Sequence, residues 1–203
     1  MPFKKLIEPL KESINHLGFD SPLPFQKKIL SKIKGGTNVF GIGPKGSGKT
    51  SSLIISVIQK LKGKAFEDAP RVLIYVKDKQ AALDLERGFN AYTSNTDLRV
   101  YCAYEEHDFE KQREEIYYGV DIVIGTPKRI SKIFFSNGIN LGQLQLFIVE
   151  DAEFLFRNNF INDVSRISES ISKCQYLIFS NKFDQRFKRF QDSVMFNSQI
   201  IKD

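Results

Sequence analysis

The sequence is poor in the residues that build disulfide frameworks, metal centres and hydrolytic triads. Its 203 residues include two cysteines, two histidines and no tryptophan. Cys102 and Cys174 stand far apart, in or beside apolar runs and outside any C-x-x-C pair, so we interpret them as reduced core thiols. His16 and His107 lie near no cysteine or serine in a metal-ligand or triad pattern. Metalloenzyme and serine-hydrolase functions therefore have no support in the sequence.

Long apolar runs are also missing. The chain opens Met-Pro-Phe-Lys-Lys and contains no stretch of signal-peptide or membrane-span length, which predicts a cytoplasmic protein. A 41% hydrophobic and 27% charged composition over this length predicts one soluble domain with a sizeable core, spanning 1–203. Lysine and arginine exceed the acids by six. This excess favours an anionic partner such as nucleic acid, although it also fits a merely soluble surface.

Short β-rich runs alternate with helix-length segments along the chain. This alternation is typical of βαβ units and predicts an α/β fold with a mostly parallel sheet. Ile7, Leu10, Ile14 and Leu17 recur at helical spacing, which predicts a helix ahead of the first strand. The predicted strands are Asn38 to Ile42, Val72 to Val76, Arg99 to Tyr104, Asp121 to Ile124, Leu146 to Val149 and Tyr176 to Phe179.

The most specific motif follows the first predicted strand and has the form G-x-x-x-x-G-K-[ST]. Its residues are Gly43, Pro44, Lys45, Gly46, Ser47, Gly48, Lys49 and Thr50. The glycines let backbone N–H groups converge on a β-phosphate at a helix N-terminus, Lys49 neutralises phosphate oxygens, and the Thr50 hydroxyl suits Mg²⁺. An ordinary glycine-rich turn is the alternative, but the full spacing with Lys and Thr predicts nucleotide binding.

Four further segments, taken in order along the chain with this loop, resemble one family. They are residues 18–26 (GFDSPLPFQ), the loop itself, residues 125–129 (GTPKR), residues 149–153 (VEDAE) and residues 179–181 (FSN). Together they resemble the first RecA-like domain of a DEAD-box RNA helicase. The resemblance implies a RecA-like P-loop NTPase fold with helices on both faces of the sheet, preceded over residues 1–36 by a helix and an adenine-reading element.

The resemblance also implies Mg-ATP and RNA as ligands. Family members carry a second RecA-like domain that supplies an arginine finger and half of the RNA groove, and this sequence stops where that domain would begin. We therefore expect no unwinding by the chain alone, and a protein partner that supplies the second domain is an option.

By resemblance, Gln26 reads the adenine edge, because its amide both donates and accepts, and ATP is favoured over GTP. Phe19 lies in the same element, and Phe3 is the upstream aromatic that would stack on the base. The alternatives are a solvated helix residue for Gln26 and a core-anchoring aromatic for Phe3.

The hydrolytic motif of the family, Asp-Glu-Ala-Asp, is changed here to Glu150-Asp151-Ala152-Glu153. By resemblance, Glu150 holds Mg²⁺ through water together with Thr50, Asp151 activates the attacking water, and Ser180 links to Glu153. Each acid has kept its charge but changed its length, and misplacement by about 1 Å can cost on the order of 100-fold in rate. A structural alternative is that these acids cap the following helix.

By resemblance, Lys79, Thr126 and Arg129 contact the RNA backbone. The family's Gly-Gly pair is replaced by Glu105 and Glu106, whose carboxylates repel phosphates, so we expect weak binding. The cluster from Lys128 to Lys132 also fits a solvated helix face. Phe183, Phe187 and Phe190 interleave with basic residues like a base-stacking platform, but their spacing favours a buried stripe.

Two functions remain open. In the first, the domain is a slow ATPase that acts on RNA. In the second, it is a catalytically inactive, nucleotide-gated module that binds a protein.

Overall fold

A single parallel sheet organises the chain. The computed structural model describes residues 3, 5–157 and 159–203. The seven strands follow the order β3-β4-β2-β5-β6-β1-β7, and every neighbouring pair is parallel. The strands are β1 Val39–Ile42, β2 Val72–Tyr75, β3 Val100–Ala103, β4 Ile122–Gly125, β5 Leu146–Val149, β6 Gln175–Ser180 and β7 Gln199–Lys202.

In the part of the chain that the structure describes, eight α-helices alternate with these strands. They are α1 Glu8–His16, α2 Pro24–Lys34, α3 Lys49–Leu61, α4 Lys79–Thr93, α5 Phe109–Tyr117, α6 Pro127–Phe135, α7 Phe160–Glu169 and α8 Lys188–Ser193. Two short 3₁₀ helices, Ala152–Phe156 and Gln185–Phe187, complete the pattern. Within the described ranges, no helix is both long enough and apolar enough to cross a membrane.

Helices cover both faces of the sheet, as predicted, because successive strand residues point to opposite sides. In β2, Val72 and Ile74 pack into the cluster formed with α1 to α4, while Leu73 and Tyr75 pack into the cluster formed with α5 to α8. All four side chains are fully buried. The continuous apolar runs seen in the sequence are thus the mark of strands that are covered on both faces.

Six of the seven strands match the predicted runs to within one or two residues. Strand β7 was not predicted, since three of its four residues are exposed and its sequence carries no continuous apolar run. The predicted stripe of Phe183, Phe187 and Phe190 does turn inward: Phe187 and Phe190 are fully buried, and Phe183 packs against the same cluster. The residues do not share one helix, however, because Phe187 ends a 3₁₀ turn before α8 begins.

Buried charge ties the amino ends of three neighbouring strands together. Asp121, fully buried ahead of β4, accepts hydrogen bonds from Arg71 Nη2 at 2.5 Å and from Arg99 Nε at 3.0 Å. Backbone N–H groups of Phe66 and Arg99 complete its acceptor set. Burial raises the pKa of this carboxyl, but the hydrogen bonds from Arg99 and Arg71 outweigh it and hold the pKa below its usual value.

The opposite end of the sheet positions the candidate site. Strands β5, β6 and β1 are adjacent, and their carboxyl ends lead into Glu150, Asn181 and Gly43. From β1 the chain crosses through α3 to β2, on the far side of β5 and β6. In open α/β sheets such a reversal of strand order leaves a crevice where ligands bind.

Candidate nucleotide-binding site

The loop between β1 and α3 has the backbone of a phosphate cradle. Gly46 and Gly48 adopt left-handed conformations with φ of 91° and 88°. A Cβ added at Gly48 would lie 2.7 Å from Gln26 Nε2, and one added at Gly43 would lie 2.7 Å from Ser47 Oγ. The Ser47 hydroxyl donates back to the Pro44 carbonyl at 2.9 Å. Glycine is therefore required both for the turn and for the close packing beneath it.

Lys49 lies beneath this loop with its side chain folded toward the loop carbonyls. Its Nζ donates to Gly43 O at 2.7 Å, to Pro44 O at 2.9 Å and to Asn181 Oδ1 at 3.0 Å. The side chain is 7% exposed. A buried ammonium whose acceptors are neutral oxygens is poised to exchange them for phosphate oxygens, which form stronger charge-assisted bonds.

Thr50 and Glu150 form the pair that could hold a metal ion. Thr50 Oγ1 donates to Glu150 Oε1 at 2.6 Å, across the gap between α3 and the end of β5. The pKa of Glu150 is raised to about 7: burial is the main cause and neighbouring Asp151 adds to it, while the Thr50 hydroxyl and Lys49 oppose the shift. A hydroxyl and a carboxylate oxygen are ligands that Mg²⁺ prefers, so these residues fit the ion.

A cavity of about 530 Å³ opens beside the loop. Lys45, Asp151 and Asn181 line it together with the last residues of the loop, and α4 contributes Gly88 and Tyr92 to its wall. Asp151 is exposed and has a left-handed backbone with φ of 47°, a conformation that aspartate tolerates better than most residues. Asp151 thus lines the cavity at the start of the 3₁₀ helix.

The predicted link between Ser180 and Glu153 is wrong. Ser180 Oγ donates to the Lys182 carbonyl at 2.7 Å instead. Glu153 Oε1 accepts from the backbone N–H of Asn181 at 2.5 Å. Since the Asn181 side chain also accepts from Lys49, this one residue joins the phosphate loop to the acidic motif. The sequence alone predicted no separate role for Asn181.

The residues of the predicted adenine element lie in three different environments. Gln26 is 7% exposed; its Oε1 accepts from Leu23 N at 2.8 Å, and its Nε2 donates to Ser51 Oγ at 2.7 Å. Phe19 is 49% exposed. Phe3 packs against the core and lines a separate groove between α2 and α3, which supports the core-anchoring alternative for this residue.

The three residues predicted to bind RNA all contact the segment Tyr104–His107, between β3 and α5. We call this segment the acidic loop. Thr126 Oγ1 donates to Glu105 Oε2 at 2.6 Å. Arg129 Nη2 donates to the Glu105 carbonyl at 2.6 Å and to the His107 carbonyl at 3.1 Å. Lys79 Nζ stands 5.3 Å from the centre of the Tyr104 ring. Both Thr126 and Arg129 are more than nine-tenths buried under this loop, and their contact with RNA stays a prediction.

A comparison with protein-family models matches residues 23–190 to the DEAD/DEAH box helicase model. The chain belongs to the DEAD/DEAH box helicase family.

Named relatives agree with this assignment. The chain is 26% identical over 190 residues to the pre-mRNA-processing ATP-dependent RNA helicase PRP5 of Lodderomyces elongisporus, covering 90% of this chain and 19% of the relative. It is 27% identical to DEAD-box ATP-dependent RNA helicase 7 of Arabidopsis thaliana, covering 98% and 31%. It is 24% identical to the ATP-dependent RNA helicase DeaD of Escherichia coli, covering 96% and 31%. The chain thus spans less than a third of the length of these relatives.

The fold also matches that of a solved structure of this family. A DEAD box protein from the hyperthermophile Methanococcus jannaschii superposes with a TM-score of 0.89 at 23% identity, covering 98% of this chain and 54% of that one. The predicted RecA-like fold is therefore confirmed, and within the family the chain corresponds to the N-terminal RecA-like domain.

Two residues of this helicase-family domain, Asn181 and Glu105, make contacts that the sequence did not predict. Asn181 follows directly after β6, and the adjacency of β6 to β1 brings it to Lys49. Glu105 was read only as a carboxylate that repels phosphate, whereas its side chain is bonded to Thr126. Strand adjacency could have signalled the first contact, but the second depends on the path of a four-residue loop, for which the sequence carries no signal.

Proposed function

We propose that the chain is an ATP-binding DEAD-box domain that binds RNA weakly, hydrolyses ATP slowly at most and does not unwind RNA by itself. The observation that carries the proposal is the arrangement of Lys49, Thr50 and Glu150 around a loop whose glycines leave room for phosphates. The confirmed family membership supports ATP and RNA as the ligands.

The residues of the site have distinct roles in this proposal. Lys49 exchanges the carbonyls of Gly43 and Pro44 for β- and γ-phosphate oxygens. Thr50 and Glu150 would hold Mg²⁺, which supplies charge stabilisation to the phosphates when it is bound. Asp151 orients the attacking water and accepts its proton. Asn181 couples Lys49 to Glu153, because its side chain accepts from Lys49 and its backbone N–H donates to Glu153.

ATP binding is tested by titration calorimetry with Mg-ATP and Mg-GTP. Lys49→Ala removes a charge-assisted contact to phosphate, so it should weaken ATP binding by about 1.5–3 kcal/mol, or roughly 10- to 150-fold. Lys28→Ala is the control, because Lys28 is an exposed lysine of α2 that does not line the cavity. Equal ATP affinity in the wild type and in Lys49→Ala would refute the proposed site.

A nucleotide-gated, protein-binding function is favoured by the covered RNA residues and by the altered acids. The acidic loop covers Thr126 and Arg129, and the acids of the hydrolytic motif have exchanged lengths, so the domain could respond to ATP without turnover and bind a protein instead. Phosphate release with and without single-stranded RNA separates the two functions. RNA-stimulated turnover supports the ATPase, whereas ATP binding without turnover supports the nucleotide-gated module. The cytoplasmic location and the partner that supplies a second RecA-like domain stay predictions.

A further inference from the structure

The acidic loop contacts the predicted RNA site through a carboxylate. Thr126 is 4% exposed, and its hydroxyl donates a 2.6 Å hydrogen bond to Glu105 Oε2, while its backbone N–H is bonded to Ala103 O. A hydrogen bond to an ionised acceptor is about twice as strong as one between neutral groups. The hydroxyl has a single proton, so it cannot donate to Glu105 and to an RNA phosphate at once.

Arg129 is held by the backbone of the same loop. Its guanidinium is 7% exposed, and Nη2 donates to two loop carbonyls. The other terminal nitrogen, Nη1, is buried and finds no acceptor among the described residues. A buried N–H donor without an acceptor is costly, and an incoming phosphate oxygen would satisfy it. The guanidinium therefore keeps one unmet donor while its other terminal nitrogen is held by the loop carbonyls.

The acidic loop is anchored at both ends, yet its acidic side chains stay exposed. Gln112 Nε2 donates to the Tyr104 carbonyl at 3.1 Å, and Asp108, just after the loop, caps α5 by accepting from Lys111 N at 2.8 Å. Glu105 and Glu106 are both exposed. The Glu105 side chain can therefore leave Thr126 by rotating into solvent, without unfolding of the loop ends.

We propose that Glu105 determines the RNA affinity of this domain, because its carboxylate occupies the place of a backbone phosphate on Thr126 and must be displaced before RNA binds. This inference rests on the proposed RNA-binding function. It assigns the affinity to one contact rather than to the general negative charge of the loop, and Glu106 offers the comparison, since it carries the same charge one residue away.

The first test measures binding of a fluorescein-labelled single-stranded oligouridylate by fluorescence anisotropy in the presence of Mg-ATP. Glu105→Ala should bind about tenfold more tightly than the wild type, the effect of one hydrogen bond to a charged group. Glu106→Ala should bind no more than about two- to threefold more tightly, through reduced repulsion alone. Glu106→Ala should melt as the wild type does, whereas Glu105→Ala should melt at a lower temperature, because it leaves the buried Thr126 hydroxyl without its acceptor. Both variants should bind ATP with the affinity of the wild type, which excludes unfolding as the cause of a change in RNA affinity.

The second test asks whether Thr126 becomes available when Glu105 is removed. Thr126→Val should leave RNA affinity unchanged in the wild-type background and lower it about tenfold in the Glu105→Ala background. Equal effects of Glu105→Ala and Glu106→Ala, or equal effects of Thr126→Val in both backgrounds, would overturn the inference while RNA binding itself stands. Absence of RNA binding in every variant, with ATP still bound, would overturn the RNA-binding function together with the inference.

Discussion

Exchanging the two acids Glu150 and Asp151 tests whether their lengths limit ATP hydrolysis. The double variant Glu150→Asp with Asp151→Glu conserves the net charge of the site and restores the first two acids of the family motif, while Glu153 is left unchanged. It should raise ATP turnover, because the water-activating carboxylate would then extend one methylene further from the backbone. The comparison isolates the positions of the carboxylates from their charge.

The effect of the exchange on ATP turnover depends first on the contact between Thr50 and Glu150. Their oxygens are 2.6 Å apart, a direct hydrogen bond. Removing one methylene withdraws the carboxylate by about 1.5 Å and leaves a gap of about 4 Å. A gap of this size admits a metal ion whose ligands stand at about 2.1 Å, or one ordered water. Aspartate at position 150 should therefore improve the metal site rather than dismantle it.

The effect on ATP turnover depends second on Asp151. Misplacement of a catalytic group by about 1 Å can cost on the order of 100-fold in rate, so the exchange should raise turnover by up to about that factor. The left-handed backbone at Asp151 suits glutamate less well than aspartate, so the variant should also melt at a slightly lower temperature.

The assay is phosphate release at saturating Mg-ATP, with and without single-stranded RNA, and with the melting temperature measured on the same samples. Each single substitution is assayed as well, because only the pair restores both positions. Lys49→Ala in the exchanged background reports contaminating ATPase. If the exchanged protein binds ATP as the wild type does and turns it over no faster, carboxylate placement does not limit the reaction and the reasoning fails.

Two further predictions follow from buried polar contacts. Asp121→Asn leaves two arginines without their carboxylate and should lower the free energy of unfolding by about 3 kcal/mol, or roughly 6–12 °C in melting temperature, whereas the exposed Asp192→Asn should change neither. Because the pKa of Asp121 is lowered in the folded state, its contribution to the free energy of unfolding is present above the ordinary pKa of 3.8 and is lost as the pH falls through the folded pKa. In urea unfolding, the difference in free energy between the wild type and Asp121→Asn should therefore shrink below about pH 4. A difference that does not change with pH would contradict this assignment. Gln26→Ala should abolish the preference for ATP over GTP in competition binding, while Ser51→Ala, which removes only the partner of the amide, should keep it; unchanged discrimination in Gln26→Ala would remove this residue from the base site.

Local patterns were sufficient for most of the fold. Continuous apolar runs identified six strands because strands covered on both faces need such runs, and the phosphate loop was recognisable because its glycines and lysine are consecutive in the chain. The exposed edge strand β7 carries no such pattern and was missed. Phe3 was assigned to the base by its place in a motif, but packing directs its ring to the groove between α2 and α3.

The sequence by itself determined the parallel α/β architecture, the phosphate loop and the family, since each depends on residue types at fixed local spacing. Only the tertiary structure decided which polar groups meet. Lys49 contacts Asn181 from 132 positions away, because β1 and β6 are neighbours in the sheet. Thr126 contacts Glu105 because a short loop after β3 folds over the end of β4. Hydrogen-bond partners are set by distances of about 3 Å between elements far apart in the chain, and residue spacing does not encode those distances.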